Sequence, residues 1–126
     1  MDIKELIPKH KDDQSVIAGL KKLSFEQLEP IVPELLALLQ DMNWPIARHV
    51  ADVLEPFADK IAPEIIKIFK TNDGIWKMWV LINLTVNATD PALLNEIERI
   101  AKFPTRDEVE EEANLEAIAI LNGDYK

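Results

Sequence analysis

Apolar residues recur along the chain at the spacing of helix faces, and no stretch alternates convincingly between apolar and polar at period two. In three places an apolar segment opens on a proline: Pro33-Glu34-Leu35-Leu36, Pro63-Glu64-Ile65-Ile66 and Pro91-Ala92-Leu93-Leu94. The prolines are 30 and 28 residues apart, and the third and sixth positions after each are apolar in all three copies, the sixth being Leu39, Phe69 or Ile97. Proline suits the first turn of a helix, where its missing N–H has no intrahelical partner to lose. Acidic residues close to it favour the positive end of the helix dipole, and Asp90 before Pro91 reads as an N-cap. Each segment therefore predicts one helix beginning at its proline.

A short polar break follows each of these helices: Asp41-Met42-Asn43, Thr71-Asn72-Asp73-Gly74 and Pro104-Thr105-Arg106-Asp107. The last contains Thr105 and Glu108 at capping-box spacing. Beyond the breaks, Ile46, Ala47, Val50, Val53, Leu54 and Phe57 predict a second helix in the first unit, and Val109, Ala113, Ala117 and Leu121 one in the third. Two shorter segments precede the repeats, one over 15–23 and one opening on Ser24, which pairs with Gln27 as another capping box. The pattern predicts an all-α fold. It forms one domain over 1–126, with a helical cap in 1–30 and antiparallel helix pairs in 31–58, 59–88 and 89–122, arranged as a short α-solenoid.

The second helix of the middle pair is apolar at nine of the twelve positions from 75 to 86. A helix apolar on every side is buried on most sides, so Trp76 and Trp79 are expected to be nearly inaccessible. In the last unit Asp107, Glu108, Glu110, Glu111, Glu112 and Glu116 predict a polar terminal cap. Trp44, just before Pro45, reads either as a plug over the first hairpin or as an exposed binding aromatic, and the plug is the favoured reading.

Residues 31–58, IVPELLALLQDMNWPIARHVADVLEPFA, resemble a HEAT-type repeat. Asp41 stands at the aspartate position between the two helices, and Ile46 and Leu54 stand at apolar positions of the second. The match departs where the second helix usually carries arginine: Ala47 is there, with Arg48 one step on, and Lys77 takes the equivalent place in the next unit. The whole sequence also resembles a group of short bacterial proteins catalogued as a domain of unknown function. That resemblance implies the helical fold and a bacterial origin, and no activity.

The chain of 126 residues is long enough for one core burying about two-thirds of the unfolded surface. It has no cysteine, which excludes disulfides, zinc thiolates and cysteine nucleophiles. The N-terminus mixes charges into its apolar residues, unlike a signal peptide, and the longest apolar run, Met78-Trp79-Val80-Leu81-Ile82, is far short of the ~20 residues that span a bilayer. A cytoplasmic location is expected. The net charge is −9 and is spread over both halves; the one basic cluster, Lys9-His10-Lys11, is followed at once by Asp12-Asp13. Nucleic acid and anionic membranes are poor partners for such a chain, and a basic protein is a good one.

Little else in the chain suggests chemistry. Two histidines without a metal-ligand pattern and three dispersed glycines give no metal site, no phosphate loop and no cofactor. Arg48, Asp52, Glu55 and Asp59 fall on one polar stripe, with an ion pair expected between Arg48 and Asp52 and with His49 alongside. If the second helices face a common surface, this stripe meets Lys77 and Asn83 of the next unit. Arg48, His49, Asp52, Glu55, Lys77 and Asn83 are then the candidate partner-binding residues. No catalytic residues are assigned. The expected function is a non-enzymatic protein-binding module of the inhibitor, immunity or adaptor kind. The alternatives are a structural subunit of a homo-oligomer or larger assembly, and an enzyme on a HEAT-like scaffold.

Overall fold

The computed structural model describes residues 3–9 and 15–125, so His10 to Asp13 of the charged N-terminal stretch lie outside the described residues. The described residues are helical wherever they are regular, with no strand among them. The chain divides into two compact units, Met1–Phe57 and Ala58–Lys126, a division one residue from the end of the first sequence repeat.

The first unit opens with a 3-10 turn at Ile3–Leu6 and continues through α1 (Ile17–Lys21), α2 (Phe25–Leu28), α3 (Val32–Ala37) and α4 (Pro45–Leu54). The Ser24 box forms: the Gln27 side chain accepts from the Ser24 N–H at 2.9 Å, and the Gln27 N–H reaches the Ser24 hydroxyl at 3.4 Å. Helices α2, α3 and α4 each run on into a single 3-10 turn, at Glu29–Ile31, Leu38–Gln40 and Glu55–Phe57. The α3 turn packs on α4, as does α1. Helix α4 buries Ile46, Ala47, Val50, Ala51, Val53 and Leu54, close to the set expected from spacing; Phe57 lies beyond it, its ring 5.7 Å from that of Phe25.

The second unit holds α5 (Ala62–Phe69), α6 (Gly74–Leu84), α7 (Pro91–Lys102), α8 (Arg106–Glu110) and α9 (Ala113–Asn122). Helix α5 packs on α6 and α7, α6 packs on α8 and α9, and α7 packs on α9. Asp73 and Asp90 cap α6 and α7, accepting from the N–H groups of Trp76 and Leu93, both at 3.0 Å. The proline register holds with one change. The sixth position after each proline is fully buried, but its inward companion is the second position (Leu35, Ile65, Leu93) in every copy, while Ile66 and Leu94 at the third are only half-buried. Residues four apart lie one above the other on a helix, so the second and sixth positions form the tighter line.

Three expectations fail in this unit. The third unit's second helix is broken in two, because Glu112 takes a left-handed conformation, φ 61°, between α8 and α9. Trp76 and Trp79 are half-buried rather than inaccessible; Lys77 and Val80 take the innermost places on α6 instead. The terminal cap is not uniformly polar. Glu108 is buried, and the outward side of α9 is aliphatic. In the first unit, Trp44 is 38% exposed at the N-cap of α4, which makes it an exposed aromatic rather than a plug.

Candidate functional site

The residues expected to form a binding patch go to different environments. Arg48 and Asp52 are exposed, and His49 and Glu55 are half-buried, on α4 and the turn after it. The expected ion pair between Arg48 and Asp52 is not among those the described residues make. Asp59 is engaged elsewhere: its carboxylate accepts from the Thr89 N–H at 2.8 Å, the Thr89 hydroxyl at 2.7 Å and the Asp90 N–H at 2.9 Å. The Thr89 hydroxyl, then the two backbone donors, hold the Asp59 carboxyl below its ordinary range. Asn83 donates to the Trp79 carbonyl at 2.9 Å, within its own helix.

Lys77 is the main correction. Its place on α6, three residues after the helix starts, points it inward, and its side chain is 1% exposed. The ammonium lies 2.8 Å from Asp107 Oδ2 and 2.8 Å from Glu108 Oε2, both on α8. Arg99, from α7, grips the same Glu108 with two N–H groups at 2.8 Å each. It also reaches Glu96 at 2.9 Å and the Phe69 carbonyl at 3.3 Å. The Thr105 N–H completes the set at 2.9 Å from Glu108 Oε1, so the capping box read from the sequence also serves a buried ion cluster.

The electrostatics follow from that geometry. Burial alone would push the Glu108 carboxyl up. The hydrogen bonds from Arg99, Lys77 and Thr105 outweigh it and hold the group at about 2, against an ordinary 4.5. Asp107 is likewise lowered: burial opposes, and Lys77 and the Thr105 hydroxyl prevail. Arg99 is raised, chiefly by its bonds to Glu108. The cluster is a charged clasp on α6, α7 and α8. Its side chains turn toward one another, Lys77 to Asp107 and Glu108 and Arg99 to Glu108 and Glu96.

Two clefts flank the loop between α5 and α6. One, of about 560 Å³, lies between that loop with Trp76 and the acids Asp107, Glu110 and Glu111; the other, of about 310 Å³, is bordered by Lys70, Glu96 and Arg99. Gly74 makes this junction possible: a Cβ there would sit 2.2 Å from the Asp107 carbonyl oxygen, so only glycine lets α6 start so near α8. No group of three acidic or histidine side chains placed to hold a metal ion occurs among the described residues. Nor is any described helix long and apolar enough to cross a membrane.

The surface that stands out is on α9. Ala113, Ala117 and Ile120 face inward, where small side chains let α9 approach both α6 and α7. On the other side Leu115, Ile118 and Leu121 are 52%, 40% and 43% exposed, at intervals of three residues. The Tyr125 hydroxyl bonds to Glu116 at the helix's end. Sequence spacing paired Val109 and Leu121 with the alanines as one face, but both are exposed. The signal present in the sequence is the double pattern of alanines on one line and large aliphatics on another, and it has low contrast because both lines are apolar.

A family model described as Domain of unknown function (DUF5071) matches residues 6–121. No curated protein matches the chain.

Proposed function

From the premise that the chain belongs to this family of unknown function (DUF5071), we propose that it is a non-enzymatic protein-binding module that docks its partner on the outer face of α9. The exposed line of Leu115, Ile118 and Leu121 carries the reading, since an aliphatic ridge left toward solvent on a helix is the kind of surface interfaces cover. The pairing of first helices with first helices (α5 on α7) and of second helices with second helices (α6 on α8 and α9) supports a HEAT-like reading of the second unit. Scaffolds of that kind act by presenting surfaces to other proteins. The reading places docking on α9 and not on α4, because Lys77 is not available at the surface to complete the patch around Arg48.

The test is affinity capture from the native cell with wild type, Leu115→Ser/Ile118→Ser and Arg48→Glu chains. A partner retained by wild type and by Arg48→Glu, and weakened at least ~tenfold by the double serine variant, fits the reading; ~tenfold corresponds to about 1.4 kcal/mol. Retention by the serine variant with loss by Arg48→Glu would return the site to α4.

A further inference from the structure

The charge around α9 narrows the kind of partner. From 107 to 125 the sequence contains seven acidic residues and no lysine or arginine. Two of the seven are neutralised within the fold, Glu108 by Lys77 and Arg99, and Asp107 by Lys77. Glu110 has an exposed partner in Arg106 at 2.8 Å, an i,i+4 pair that solvent screens. Glu111 and Glu112 stand exposed immediately before α9, Glu116 lies within it and Asp124 follows it. The apolar line of α9 is thus set among carboxylates, with no lysine or arginine among the described residues from 107 to 125.

We propose that the outer face of α9 takes an amphipathic helix of the partner protein, one with lysine or arginine on both sides of its apolar stripe. This deepens, and rests on, the reading of that face as a docking surface. A helix is the matching element because α9 presents no unpaired backbone edge, only a ridge of side chains spaced three apart that packs into the groove of another helix. Cations beside that helix's stripe meet Glu111, Glu112, Glu116 and Asp124, which steers encounter and fixes orientation. A second copy of this chain is the poorer occupant. It would bring the same acid-only segment against itself.

The probes are two synthetic amphipathic helices of about four turns. They share one leucine stripe; one is flanked by lysine and arginine, the other by glutamate. Each is titrated by calorimetry into the full chain, and sedimentation is run on the chain alone. The expected result is saturable binding of the cationic helix and at least ~tenfold weaker binding of the acidic one. The Leu115→Ser/Ile118→Ser chain, its circular dichroism unchanged, should lose binding of the cationic helix. If the serine variant binds that helix as well as wild type does, the face itself is wrong and the functional reading falls with it. If both helices bind wild type equally and the serine variant loses both, the face stands and the cationic partner is overturned. If neither binds, or a wild-type dimer is abolished by the serine substitutions, the helix-partner inference is overturned, in the second case in favour of a second copy.

Discussion

Glu108 shows how much one side chain can do here. It caps α8 through the Thr105 N–H and accepts from Lys77 and Arg99, while being fully buried. Removing one member of a buried ionic group leaves the others desolvated and unpaired, so Glu108→Gln should cost about 3–5 kcal/mol in urea unfolding. Lys77→Met should cost less, because Arg99 still compensates Glu108 and Asp107, which is partly exposed, keeps the Thr105 hydroxyl. The pH dependence has a definite sign. The folded-state pKa of about 2 lies below the ordinary 4.5, so the stabilisation is complete above about pH 4.5 and is lost as the pH falls toward 2. Stability measured across that window should drop in wild type, and the drop should be shallower in Glu108→Gln. The residue types in this cluster were visible in the sequence, as was the capping spacing. That Lys77 points inward was not, because an apolar-rich helix has no polar face to show which way its one cation turns.

At the scale of elements, two backbone positions decide how the second unit closes. Gly74 admits α8 against the start of α6, and since the atom in the way is backbone, nothing can move aside cheaply. Gly74→Ala should therefore destabilise far beyond an ordinary helix substitution, by about 2 kcal/mol or more, read from the urea midpoint. Glu112 is the opposite case. A non-glycine residue in the left-handed region costs roughly 1–2 kcal/mol, so Glu112→Gly should leave the protein at least as stable, and by up to about 1 kcal/mol more stable. A fall in melting temperature for Glu112→Gly would mean that its side chain holds the break. The helices themselves were legible from prolines, caps and spacing. The break within the last of them was not, since Glu110-Glu111-Glu112 carries no glycine or proline to mark it.

At the scale of the whole molecule, the net charge of −9 sets a long-range field that acts before any contact forms. The association rate of the cationic helix should fall about tenfold or more between roughly 20 and 300 mM salt, while its dissociation rate changes little. A salt-independent association rate would show that the carboxylates near α9 play no part in encounter. The Lys77–Glu108–Arg99 cluster should respond little to the same salt, because buried ion pairs are screened far less than exposed ones.

Local rules acting within a few residues settled much in advance: the helical class, the positions of the first helices at Pro33, Pro63 and Pro91, and the N-caps at Asp90 and Ser24. Periodicity reports a helix's apolar side when its two sides differ, and so α4 was read nearly residue by residue. It falls silent when they do not. On α6 only the carboxylates of α8, thirty residues further on, decide that Lys77 is buried and the tryptophans are left half-exposed. On α9 only the close approach of α6 and α7 decides that the alanines turn inward and Leu115, Ile118 and Leu121 turn out. Those choices depend on which neighbour fills the space, and that information lies in the packing of distant segments.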